Sequence, residues 1–182
     1  MTDMTALEGT YVIDPTHSTL GFVARHAMIT KVRGSFTDFS GTAEIHGSAP
    51  ETSRVNVDID VNSVDTRNAD RDGHLKSGDF FETEKFPKIT FASTNVAVTD
   101  ASTVEITGDL TIKDVTQSVT IPFEFTGEAV DPFGNTRIGF EGSTEVNRRD
   151  FNLTWNAALD TGGVLVSEKI TLEFEVSAIK QA

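Results

Sequence analysis

The sequence predicts an all-β fold of about eight or nine antiparallel strands, arranged as a sandwich or a barrel. Three observations predict it. Apolar and polar residues alternate with a period of two along most of the chain, as they do where successive side chains point to opposite faces of a half-buried strand. Turn-forming residues punctuate the alternating runs. Only residues 68–81 depart from the period.

Taken in order, weaker alternation marks strands at residues 10–13, 19–26 and 36–46. In the second of these, Leu20, Phe22, Ala24 and His26 share one face, so all four are expected to point inward. The clearest strand is RVNVDIDVN, residues 54–62, where Val55, Val57, Ile59 and Val61 alternate with Asn56, Asp58, Asp60 and Asn62. The stretch NADRDGHLKSGDFF follows, and residues 69–76 within it predict one short helix, weakened by Gly73. A weaker strand covers residues 88–98. The period then returns in Val104, Ile106, Leu110 and Ile112, and again in Val119, Ile121, Phe123 and Phe125. Pro122 interrupts that run and must sit at an edge, at a bulge, or where its missing N–H does no harm. Ile138, Phe140 and Val146 share a face of the next strand, and Ile170, Leu172, Phe174 and Val176 form the last. The turns fall at Thr99-Asp100, at Lys113-Asp114, at DPFGN (residues 131–135) and at Thr161-Gly162-Gly163.

At 182 residues the chain suits one domain, with residues 1–10 as an N-terminal tail and residues 11–182 as the folded unit. It has no cysteine, which excludes disulfides, thiolate metal sites and a cysteine nucleophile. A net charge of −13 repels nucleic acid and anionic lipid headgroups, so neither is expected as a partner. No run reaches the roughly 18 apolar residues of a membrane-spanning helix, so stable membrane insertion is not expected. The opening MTDMTALEGTYVID lacks the basic and apolar regions of a signal peptide, and a cytoplasmic location is the expectation. The presumed inner faces mix phenylalanines with small residues: Ala24 follows Phe22, Gly41 and Ala43 lie between Phe39 and Ile45, and Gly108 lies between Ile106 and Leu110. That mixture permits a ligand cavity inside a barrel, and a tapered, filled core satisfies it equally.

Candidate chemistry is sparse. Asn68, Asp70, Asp72, Gly73 and Asp79 fall at the first, third, fifth, sixth and twelfth places of an EF-hand calcium loop. That loop needs a helix on each side, whereas a strand precedes this one, and Lys76 puts a cation at the ninth place. The acids are therefore expected to cap and solubilise a helical connection, with no metal site. His17, His26, His46 and His74 show no ligand-pair spacing. There is no G-x-S-x-G elbow and no phosphate-binding glycine loop, and no cofactor or reaction centre is predicted.

Several stretches together resemble the YceI-like, polyisoprenoid-binding protein family: YVIDPTHSTLGFVARH, VRGSFTDFSGT, NADRDGHLKSGDFFETEKFPKITF, GDLTIKDVTQSVTIP and NRRDFNLTWN. The resemblance spans roughly residues 11–179. It implies an extended eight-stranded antiparallel barrel, similar to lipocalins, with one short helical segment. It also implies an apolar tunnel holding a polyisoprenoid, an isoprenoid quinone included, or a similar long-chain amphiphilic lipid, which the protein sequesters or carries without acting as an enzyme. On that reading Phe22, Phe36, Phe39, Phe91, Phe123, Phe140, Leu153 and Trp155 line the tunnel, with His26 near a polar end. Phe80, Phe81 and Phe86 turn toward the same interior from the helical connection. The rival reading, an enzyme acting on an isoprenoid-type substrate in the same barrel, requires a polar constellation around His26 or His17. Exposed barrel strands also leave room for a homodimer, whose interface the sequence does not show.

Overall fold

The computed structural model describes residues 3–182. Eleven ladder segments build one closed antiparallel barrel. They are β1 (Glu8–Ile13), β2 (Thr19–His26), β3 (Thr30–Phe36), β4 (Phe39–His46), β5 (Arg54–Asp60), β6 (Val64–Asp65), β7 (Lys88–Val98), β8 (Thr103–Ile112), β9 (Val115–Val130), β10 (Thr136–Asn147) and β11 (Lys169–Lys180). The ring runs β1-β4-β5-β7-β8-β9-β10-β11 and closes from β11 back to β1. The remaining three segments continue members of that ring. β11 pairs with β1 through residues 178–180 and with β2 through residues 171–175, so β1 and β2 are two halves of one broken strand. β3 similarly continues β4, and β6 continues β5 and pairs with β3. The barrel therefore has eight staves, as the resemblance implied, three of them bent.

The bends are local: the 3₁₀ turn Val61–Ser63 separates β5 from β6, with Asp60 accepting the Asn62 N–H at 2.9 Å. Between β1 and β2, Pro15 opens a single 3₁₀ turn, and the Asp14 carboxylate accepts the Thr16 N–H at 3.0 Å. Between β3 and β4, Thr37 and Asp38 interrupt the strand expected over residues 36–46. That expectation is corrected in a second respect: residues 30–35 are also strand, joined to β2 by a tight hairpin in which Ala27 and Met28 adopt φ of 50° and 63°. Neither is a glycine or asparagine, so the turn carries no sequence signal. β9 is longer than its apolar core, and Pro122 lies just outside the β9–β10 ladder, whose final rung joins Phe123 to Gly142.

Residues 4–10, expected as part of a tail, are built into the barrel; Met1 and Thr2 lie outside the described residues. Met4 and Leu7 are 5% and 3% exposed and pack with Tyr11, Phe125 and Ile138 at one end. At the other end Phe36, Val61, Phe80, Phe151 and Leu153 form a second cluster, and Ile13, Leu20 and Phe39 form a third. The helix α1 (Ala69–Lys76) falls where the sequence predicts it. Asn68 caps it by accepting the Arg71 N–H at 2.9 Å, Asp70 and Asp72 sit in its first turn, and His74 and Lys76 in its last, matching the helix dipole. Among the described residues no helix is long and apolar enough to cross a membrane.

Candidate functional site

The barrel encloses an apolar cavity of about 320 Å³, within the range of small-molecule sites. Its walls follow from strand phase. Leu20, Phe22 and Ala24 face it from β2, Val55, Val57 and Ile59 from β5, and Ile170, Leu172, Phe174, Val176 and Ala178 from β11. β7 carries a bulge between Ser93 and Asn95, so its inward residues switch from Ile89 and Phe91 to Val96 and Val98. Met4, Leu7 and Pro50 bound one end. Leu75 of α1, with Phe80, Phe81, Phe151 and Leu153, bounds the other.

Small residues keep the bore open, though not simply by leaving gaps. The Phe22 ring occupies the space over Gly34 of β3, its partner in register, and the Phe91 ring the space over Gly108 of β8. A Cβ at either glycine would collide with the ring. On β10 a Cβ at Gly142 would come within 2.6 Å of Phe123 Cδ1. Glycine on one strand thus lets a phenylalanine from the next lie along the wall.

Phe22, Phe36, Phe80, Phe81, Phe91, Phe123, Phe140 and Leu153 all line the cavity, as does Ala24. Four expectations are corrected. His26 is exposed: β2 runs past the last inward residue, Ala24, into an overhanging hairpin, where His26 bridges Val166. Phe39 is buried beside the bore, packed with Ile13 and Leu20 where β4 begins at the bend. Phe86 does not line the cavity either; it closes a turn outside it, its N–H donating to the Glu82 carbonyl at 2.9 Å, with Lys85 Nζ 5.3 Å from its ring centroid. Trp155 stands behind the wall, 5.4 Å from Phe80 and edge-on to His74 at 4.7 Å.

The polar motifs serve the scaffold. Asp72 accepts from both the N–H and the hydroxyl of Thr66, and Arg71 Nη2 donates to the Thr66 carbonyl at 2.7 Å, tying α1 to the strand end. His74 Nε2 meets Asp79 Oδ2 at 2.8 Å. Asn68, Asp72 and Asp79, three of the residues that match the calcium pattern, thus hold the helical connection in place. In D-x-x-H-S, Asp14 meets His17 Nδ1 and accepts from Arg137 Nη1, both at 2.8 Å, while Arg137 Nε donates to Asp131 at 2.8 Å. This network joins the β1–β2 bend to the β9–β10 hairpin. The Arg137 guanidinium, first among several hydrogen-bond donors, holds the carboxyls of Asp14 and Asp131 well below the usual carboxylate range. None of these groups lines the cavity.

Among the described residues the cavity wall contains one charged side chain, Arg148, and sequence reasoning missed it. Arg148, at the start of the 3₁₀ turn after β10, is 6% exposed. Its neighbour Arg149 is exposed and pairs with Glu168 at 3.1 Å, so the pair reads from sequence as two solvated cations. Only the return of residues 153–167 over Arg148 distinguishes them.

The YceI-like domain family matches residues 11–178. A UPF0312 protein of Ectopseudomonas mendocina is 38% identical over 178 residues, covering 97% of this chain and 90% of its own. BcnA of Burkholderia cenocepacia superposes with a TM-score of 0.80 at 23% identity, covering 91% of this chain and 98% of that one. A polyisoprenoid binding domain from Saccharophagus degradans, implicated in plant cell wall breakdown, superposes with a TM-score of 0.71 at 18% identity, covering 94% and 98% of the two chains. The closed barrel, its glycine-backed phenylalanine wall and these matches make the chain a member of the YceI-like family.

Proposed function

We propose that this protein binds a polyisoprenoid or a similar long-chain lipid in the barrel and sequesters or carries it. One observation carries the reading: the cavity spans the barrel between its two end clusters, and among the described residues its wall is apolar but for Arg148 and Ser53. The polyisoprenoid binding domain that shares this fold supports the choice of ligand class. Burial is the mechanism. Each CH₂ moved from water into the bore gains roughly 0.8 kcal/mol, so a long tail is held without many polar contacts. Phe22, Phe91 and Phe123, whose rings occupy the space over Gly34, Gly108 and Gly142, offer apolar surface to such a tail.

The single tryptophan makes the test direct. Trp155 packs on Phe80, and Phe80 lines the cavity, so a tail reaching that end changes the indole environment. Delipidated protein titrated with geranylgeraniol is expected to show a saturable change in Trp155 emission. No saturable change with geranylgeraniol or with geranylgeranyl monophosphate, repeated by calorimetry without heat of binding, refutes the reading.

A further inference from the structure

We infer that the lipid this cavity takes carries an oxyanion head, a carboxylate or phosphate, that pairs with Arg148 while its tail fills the bore. The inference rests on the lipid-binding reading and narrows it from a class of tails to a class of heads.

The observation is a buried cation that faces an apolar cavity with no carboxylate in contact: Glu168 acts on it electrostatically but is paired with Arg149. Among the described residues no carboxylate lies within 4.0 Å of the Arg148 guanidinium, although the chain carries 28 acidic residues. Its Nε donates to the Ser167 carbonyl at 2.8 Å, Nη1 to Leu153 and Nη2 to Val166 at 3.3 Å. Those three backbone oxygens orient the group but bring no net charge. A guanidinium has five N–H donors, so one on each terminal nitrogen remains without a protein acceptor among the described residues. Burial weakens its hold on the proton, which is the cost expected of a desolvated charge.

Fastening a loop to itself does not require a charge. Nor does it require that the group line the cavity; a neutral donor set turned away from the bore would do the same. A cation here creates a positive potential in a low-dielectric space, where its attraction for an anion is far stronger than in water. Arginine presents adjacent donors in a plane that suits carboxylate and phosphate oxygens. The outer surface, at −13 overall, repels a free anion, so the apolar tail must bring the head in. The cation sits beside Phe151 and Leu153, at the α1 end, so the tail extends from there toward Met4 and Leu7.

The experiment compares ligands that differ only in the head. Geranylgeranyl monophosphate is set against geranylgeraniol, and oleate against oleyl alcohol, each displacing a neutral fluorescent lipid from delipidated protein. Inorganic phosphate alone serves as the tail-free arm. At least one anion is expected to bind tenfold or more tightly than its alcohol, and the pair that shows it tells phosphate from carboxylate. Inorganic phosphate is expected not to displace the probe. In Arg148→Gln the preference of anion over alcohol should fall to about onefold; Arg148→Lys should retain part of it. Should Arg148→Gln fail to fold, the wild-type ratio and its decline between 50 mM and 500 mM salt decide the matter. Equal binding of acid and alcohol by wild type overturns the inference and leaves the lipid reading standing. Binding of none of the four lipids overturns both.

Discussion

The Ala24→Trp variant separates a hollow barrel from a filled one. Ala24 is half-buried on the cavity wall, in phase with Leu20 and Phe22 and opposite Val32 in the β2–β3 ladder. In a filled core an added indole has no room, and overpacking costs about 1–3 kcal/mol. Here it enters the 320 Å³ bore, so the stability of delipidated protein should change by less than about 0.5 kcal/mol. The lipid tail then loses that space. Losing contact for three or four CH₂ groups removes about 2.4–3.2 kcal/mol, a weakening of roughly fifty- to two-hundred-fold. The assay pairs urea unfolding of delipidated wild type and variant with displacement of a fluorescent lipid. A variant destabilised by several kcal/mol refutes the open bore at this position. Unchanged stability with unchanged lipid affinity refutes the placement of the tail.

Three further outcomes follow from the scaffold. Asp14 and Asp131 are held ionised by Arg137, so their contribution to stability is complete above the ordinary aspartate pKa of about 3.8 and is lost as pH falls through their depressed folded values. Arg137→Gln should therefore lower stability most near pH 6 and progressively less below pH 4, by thermal unfolding across that range; a deficit independent of pH would contradict the network's role. Glu141 stands directly opposite Glu124 on one neighbour and Glu175 on the other, so Glu141→Lys should raise stability by about 0.5 kcal/mol in low salt and by less in 1 M salt, measured by urea unfolding. Gly108→Val should drive the Phe91 ring off the wall, costing about 1–3 kcal/mol and weakening lipid binding, as calorimetry and probe displacement would register; a silent variant would count against the glycine-backed wall.

Much of the barrel is legible because strand periodicity is a local property. β5, β8 and β11 each turn one alternate set of residues toward the cavity, and the sequence displays that set directly. The same period groups Phe22, Phe123 and Phe140 with the apolar faces that form the wall. It fails where tertiary contacts take over. Nothing local marks the Ala27-Met28 turn, because two ordinary residues are held at positive φ by the hairpin around them. His26 keeps its phase but lies beyond the end of the bore, and a period carries no information about where a cavity stops. Phe86 and Trp155 belong to irregular segments, where no period assigns a face. Met4 and Leu7 read as part of a tail because two apolar residues form no pattern, yet the barrel needs them to cover one end. Arg148 is the instructive miss. Its burial depends on carbonyls 5 to 19 residues later in the chain, so nothing near it in the sequence separates it from exposed Arg149.

The central claim, that the barrel exists to hold a lipid tail, is tested most directly on protein purified from its own cells without detergent or organic solvent. Native mass spectrometry should show a mass above that of the chain, and denaturing spectra of the same sample should release one long-chain lipid in its place. An apolar bore left empty forgoes the dispersion contacts that a tail supplies, which favours occupancy. Protein that consistently carries the mass of the chain alone, and that also fails to take up added geranylgeraniol and geranylgeranyl monophosphate, contradicts the account.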